Sequence, residues 1–161
     1  MRLAIVGSGR HGKDTVCEWF AANTILKYSF STSWPICEEI ARRSGRPVDE
    51  VHKYRHLDRA TMRRVGDELR STDSAYLAKR TLENGNLCNG IRAQVEIEAV
   101  QRLGLVDLTI WIDASERITE PDPTLEFGPE VADIFISNNG SRNALDVRLE
   151  RLARCLDVLA W

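Results

Sequence analysis

The chain has 161 residues, of which 43% are hydrophobic and 29% charged, with a formal net charge of −2. That length suits a single domain with a core of its own. The balanced charge argues against stable nucleic-acid binding, which needs a basic face, and no apolar run reaches the roughly 20 residues of a membrane span.

The first residues, Met1 to Val6, are too short for a signal peptide and run straight into a glycine motif. Leu3 to Val6 reads as a buried strand ending at Gly7, followed by a helix over Lys13 to Ala22 with Val16, Trp19 and Phe20 at helical spacing. Ile25 to Phe30 reads as a second strand. From Ser33 to Glu83 the pattern is helical, broken at Ser44-Gly45-Arg46-Pro47 and near Ser71-Thr72-Asp73, with Pro47 suited to a first helical turn. Leu87 to Asn89 is a brief strand, and Val95 to Leu103 a helix that Gly104 ends. Leu105 to Ile112 is a strand in which Trp111 is a core residue. Residues 114–131 read as loop with one helical turn, Ala132 to Ile136 as a strand, and Asn143 to Ala160 as a long amphipathic helix. Strands alternating with helices predict a three-layer α/β fold: a parallel sheet of about five strands with helices on both faces. The helical stretch at about 33–83 is an insert in a plain βαβ unit. No repeat or linker divides the chain. The cysteines, Cys17, Cys37, Cys88 and Cys155, form no Cys-x-x-Cys pair, which fits reduced thiols in a cytoplasmic protein rather than a zinc knuckle.

The strongest signal is Gly7-Ser8-Gly9-Arg10-His11-Gly12-Lys13-Asp14-Thr15, a G-x-x-x-x-G-K run between a strand and a helix, as a P-loop requires. Glycines let backbone N–H groups turn inward as an anion nest, and the helix dipole adds positive potential there. Lys13 would reach the β- and γ-phosphates of a bound nucleoside triphosphate such as ATP. Asp14 stands where Ser or Thr usually supplies a Mg²⁺ ligand, with Thr15 next, so the pair Asp14 and Thr15 is the candidate metal site. Arg10 and His11 lie inside the loop, where each either touches phosphate or faces solvent.

At Gly12-Lys13-Asp14-Thr15 the chain resembles the phage deoxynucleoside monophosphate kinases, a branch of the P-loop nucleoside monophosphate kinase superfamily. Asn89-Gly90-Ile91-Arg92-Ala93-Gln94-Val95-Glu96 is similar to that group's strand-end segment. Ala132-Asp133-Ile134-Phe135-Ile136-Ser137-Asn138-Asn139-Gly140-Ser141 resembles an "A-D-x-x-I-x-N-x-G" segment shared with dephospho-CoA kinases. The resemblance implies an ATP- and Mg²⁺-dependent kinase of small nucleotide substrates, located in a cytoplasm (that of a phage host included). A homodimer is compatible with it. The chain departs from the family where Asn89 and Gly90 replace an acid that precedes the arginine.

Phosphoryl transfer needs positioning and charge neutralisation, tasks that suit the arginine fork. Arg92, at a strand end, is the candidate grip on an acceptor phosphate, or else a surface arginine. The stretch from Glu38 to Arg70 holds nine Arg and Lys against seven acids. The resemblance makes it the acceptor-binding subdomain and singles out Arg70; Arg55 is a further candidate for the acceptor, and most of the others read as solvated helix faces. Ser31 follows the second strand, where acceptors bind in this group. The resemblance also implies that Arg117 opens a short lid at about 114–131 and approaches the phosphates. From Glu116 to Asp133, however, there are six acids and one arginine. Asn138 and Asn139 either contact the base or only form a turn. Besides a (deoxy)nucleoside monophosphate kinase, the sequence allows a kinase of dephospho-CoA or of a polynucleotide end, and a regulatory nucleotide-binding module with slow hydrolysis.

Overall fold

A computed structural model describes residues 1–160. Its sheet has four strands rather than about five: β1 (Leu3–Val6), β2 (Leu87–Asn89), β3 (Leu108–Asp113) and β4 (Ile134–Ser137), all parallel in the order β2-β1-β3-β4. Every residue of β1 is fully buried, as expected of an apolar run covered on both faces. Leu3 and Ile5 pack with Val16 and Phe20 of α1 (Lys13–Asn23) and with Leu145 and Leu149 of α7 (Arg142–Cys155). Ala4 and Val6 face the opposite side, against Ala78 and Leu82 of α5 (Tyr76–Leu82) and Ile97 and Val100 of α6 (Gln94–Arg102). The period-two alternation of one strand therefore builds a three-layer α/β domain.

The missing strand is the one expected at Ile25 to Phe30. That segment runs beside β2 but meets it at few points: the Asn86 and Leu87 amides donate to the Lys27 carbonyl, and the Thr32 amide donates to that of Asn89. Ile25 is 65% exposed, and the segment joins no strand ladder of the sheet. β3 also starts later than expected, at Leu108, because the Leu105 amide closes the end of α6 on the Val100 carbonyl. α7 stops at Cys155 instead of Ala160. Asp157 turns left-handed (φ 53°), and Leu159 forms an antiparallel bridge with Thr24.

Between β1 and β2 the insert folds as α2 (Ser33–Ser44), α3 (Val48–Tyr54), α4 (Arg59–Thr72) and α5. It breaks where expected: Gly45 takes φ 71° at the end of α2, and α4 ends at Thr72. Pro47 caps α3 from outside rather than sitting in its first turn. The sequence pattern did not show a 3-10 turn at Arg55–Leu57. After it, Asp58 accepts from the Thr61 amide at 3.1 Å and starts α4. Ile36, Cys37, Ile40, Val51, Val65 and Leu77 form a small satellite core. Residues 114–131 are loop with one 3-10 turn, Pro129–Val131. Trp111 is buried, packed edge-on to Phe127 with ring centroids 6.5 Å apart. Among the described residues no helix is long and apolar enough to cross a membrane.

From β1 the chain crosses to β2 on one side, then passes back over β1 to β3 on the other. The connections diverge at the carboxyl end of β1, which is where crevices open in parallel sheets.

Candidate functional site

The crevice at that point is a cavity of about 300 Å³ bordered by the glycine loop and the start of α1 (Arg10, Gly12, Lys13, Asp14, Thr15), by Ser31, Ser33 and Arg55 of the insert side, and by Asn89, Gly90 and Arg92 after β2. Four cationic side chains thus share one cleft. A second cavity of about 310 Å³ between α1 and α7 is lined by Asp146 and Glu150 and by no cation, so it offers an anion nothing.

The loop is fixed by close approach to the sheet. Gly7 has φ 140° and a Cβ there would run into the Ile112 carbonyl; Gly12 has φ 93° and a Cβ would meet the Asn138 amide at 2.6 Å. Only glycine fits either position. Arg10 also adopts positive φ (65°), which turns its exposed side chain toward Glu120 at 3.2 Å. The Lys13 ammonium donates to the Gly7 and Ser8 carbonyls at 2.7 and 2.6 Å. Burial, with the Arg92 charge nearby, lowers the Lys13 pKa to about 8. A phosphate entering the cleft would meet an ammonium already poised on the loop.

His11 does not reach the cleft. It is buried, and its Nδ1 accepts from the Ala114 amide at 3.0 Å, tying the loop to the end of β3. Asn138 and Asn139 work in the same way. The Asn138 side-chain amide donates to the His11 carbonyl at 2.9 Å; that of Asn139 donates to Asp113 at 2.7 Å and its oxygen accepts from the Glu116 amide. Arg117 is exposed and donates to the Asn138 carbonyl at 2.8 Å. None of these four borders the cleft.

Asn89 donates to Asp14 Oδ1 at 2.6 Å and accepts from the Tyr28 hydroxyl at 3.2 Å. The two positions together carry one carboxylate, on the helix rather than at the strand end. Asp14 is exposed, and Thr15 lies beside it on the cleft wall. No group of three or more metal-ligating side chains occurs among the described residues. A lone carboxylate and a hydroxyl fit a Mg²⁺ ion that keeps waters and takes its other ligands from substrate phosphates.

No protein-family model matches this chain, and no curated protein does.

The cleft gathers Ser31, Arg55 and Arg92 around the loop, but not Arg70. Arg70 instead links α4 to α6, with Nη2 on Asp67 at 2.7 Å and Nη1 on Glu96 at 3.4 Å. Glu96 is fully buried and its Oε1 has no partner. Burial pushes its carboxyl up to about 7 against the opposing pull of Arg70. Sequence reasoning missed Asp122, whose Oδ2 accepts from the Gly9 amide at 2.7 Å and from Arg92 at 2.5 Å. Burial raises the Asp122 pKa, but hydrogen bonds from Thr124 and Arg92 overcome it and hold the group below the usual carboxylate range. The excess of acids after Glu116 was the only sign of it.

Proposed function

We propose that the chain is a P-loop phosphotransferase that moves the γ-phosphate of ATP to a (deoxy)nucleoside monophosphate in a cytoplasm, as its resemblance to the phage-type kinases implies. One observation carries the reading: a G-x-x-x-x-G-K loop at the carboxyl end of β1 places Lys13 in a cleft whose other walls supply Arg55 and Arg92. A donor triphosphate lies along residues 7–13, where α1 begins and its dipole favours anions. Lys13 neutralises charge on the transferred group. Asp14 and Thr15 would hold Mg²⁺, which supplies further neutralisation when bound. On the far side Arg92, Arg55 and Ser31 orient the acceptor phosphate for in-line attack. Asn89 cannot take a proton as a carboxylate would, so catalysis rests on positioning and electrostatics. Arg70, paired within the protein, sets the insert in place.

The test is turnover with ATP, Mg²⁺ and a panel of nucleosides, nucleoside monophosphates, dephospho-CoA and polynucleotide ends. Transfer to a monophosphate supports the reading; transfer only to another acceptor replaces it. Slow hydrolysis with no acceptor would favour a regulatory nucleotide-binding module instead, a reading to which the carboxylate seated on the loop lends support.

A further inference from the structure

The acid-rich segment 114–131 was expected to bring arginine toward the phosphates. It brings carboxylates. Asp122 Oδ2 takes the Gly9 N–H and the Arg92 guanidinium at once. Its other oxygen is held by the Thr124 amide at 3.1 Å and hydroxyl at 2.6 Å, so the group is aimed rather than free. The Asp122 side chain is only 12% exposed. Glu120 meets Arg10 on the same loop at 3.2 Å, and the Glu126 amide donates to the Arg92 carbonyl. A loop amide and an arginine that would bind phosphate oxygens are therefore occupied from within the chain.

We propose that Asp122 is a built-in occupant of the phosphate site, so that residues 114–131 act as an autoinhibitory strap which a polyphosphate ligand must displace. The inference rests on reading residues 7–13 as a phosphate-binding loop. The carboxylate presents oxygens and one negative charge where a phosphate would present more of both. A nucleoside triphosphate with Mg²⁺ therefore outcompetes it, while a weak or singly charged anion does not. Apparent affinity is the intrinsic affinity reduced by the fraction of molecules in which the site is open. Removing the competitor raises it.

Isothermal titration of the intact chain with ATP and Mg²⁺ tests this in wild type, Asp122→Ala, Asp122→Asn, Lys13→Ala and Glu130→Ala. Glu130 is the control, since its carboxylate bonds only the Gly128 amide of its own segment. Asp122→Ala is expected to bind about ten-fold more tightly than wild type, in line with the loss of a competing closed state. Asp122→Asn should lie between, Glu130→Ala at wild type, and Lys13→Ala below it. Inorganic tripolyphosphate should give the same order, because the competition concerns phosphates and not the base. Equal or weaker binding by both Asp122 variants, with Lys13→Ala still impaired, overturns the strap and leaves the phosphate loop standing. An effect confined to ATP and absent with tripolyphosphate also overturns the strap. No binding by wild type or by either Asp122 variant overturns the strap and the loop together.

Discussion

Around β1, two apolar clusters close over both faces of the sheet, and Leu3, Ile5, Phe20, Ile97 and Leu149 are fully buried there. Across α2 to α5 the separate core of the insert is six residues, and its surface carries ion pairs: Arg43 to Glu39 and Glu68, Arg64 to Glu68, and Arg80 to Glu38. The glycine loop is anchored to the first region, while Arg55 and Ser33 belong to the second. Apolar burial on this scale is hard to rearrange, whereas screened surface pairs yield easily. The glycine-loop side of the cleft is therefore preset, and the insert side is free to adjust. Hydrogen exchange sharpens the contrast: amides of β1 and β3 should be the slowest, those of α3 and α4 markedly faster. Equal protection in both regions would break it.

Lys13→Ala should have the largest effect, lowering kcat/KM by about 10²–10³-fold with the fold intact, because it deletes a preorganised cation. Steady-state kinetics beside a circular dichroism melt check it, and near wild-type turnover would remove the glycine-loop side from the comparison. Leu149→Ala, in the sheet core, should cost about 2–5 kcal/mol of stability by denaturant unfolding. A similar cost from Val51→Ala in the insert would show that the two regions are equally tightly packed.

A smaller, signed effect comes from the joint between the regions. The folded state holds the Glu96 proton up to about pH 7, against an ordinary value of 4.5. Between those values the folded chain binds the proton better than the unfolded one. Stability should fall as pH rises through that window and level off above it. Glu96→Gln should flatten this slope, read from guanidinium midpoints at pH 5 and pH 8; an unchanged slope would mean the carboxyl is not held as described. Smallest of all, Arg43→Ala should leave the melting temperature unchanged within error, although its bonds to Glu39 and Glu68 are 2.6 and 2.5 Å long. A clear drop would mean that the insert depends on that pair.

The parts of this molecule that could be read from sequence are those set by neighbours along the chain. β1 and its loop followed from four apolar residues and a glycine spacing, and the insert broke at Gly45 because only a left-handed residue closes α2 there. Ile25 to Phe30 was misread because local composition can signal an extended chain but not a partner, and β2 takes only one of its backbone groups, the Lys27 carbonyl. In the site, Lys13, Asp14 and Arg92 were legible from motifs. Asp122 was not, since 113 residues separate it from Gly9, and no local pattern encodes which of six acids folds back. His11 and Asn138 sat in the right motifs, but only their packing shows that they brace the loop from behind.

The placement of the four cysteines gives the chain a built-in reporter. Cys17, Cys37 and Cys88 are buried, and desolvation raises the pKa of each thiol, so none is readily alkylated. Cys155 alone is exposed, on the last turn of α7. The residues just after that helix, Val158 to Ala160, bond Asn23 to Ile25 at the end of α1 remote from the loop. A maleimide dye should therefore attach once per native molecule and four times after denaturation. The native label, distant from the cleft, can report titrations without blocking them, and the ratio of the two counts measures the intact fraction of any variant named above.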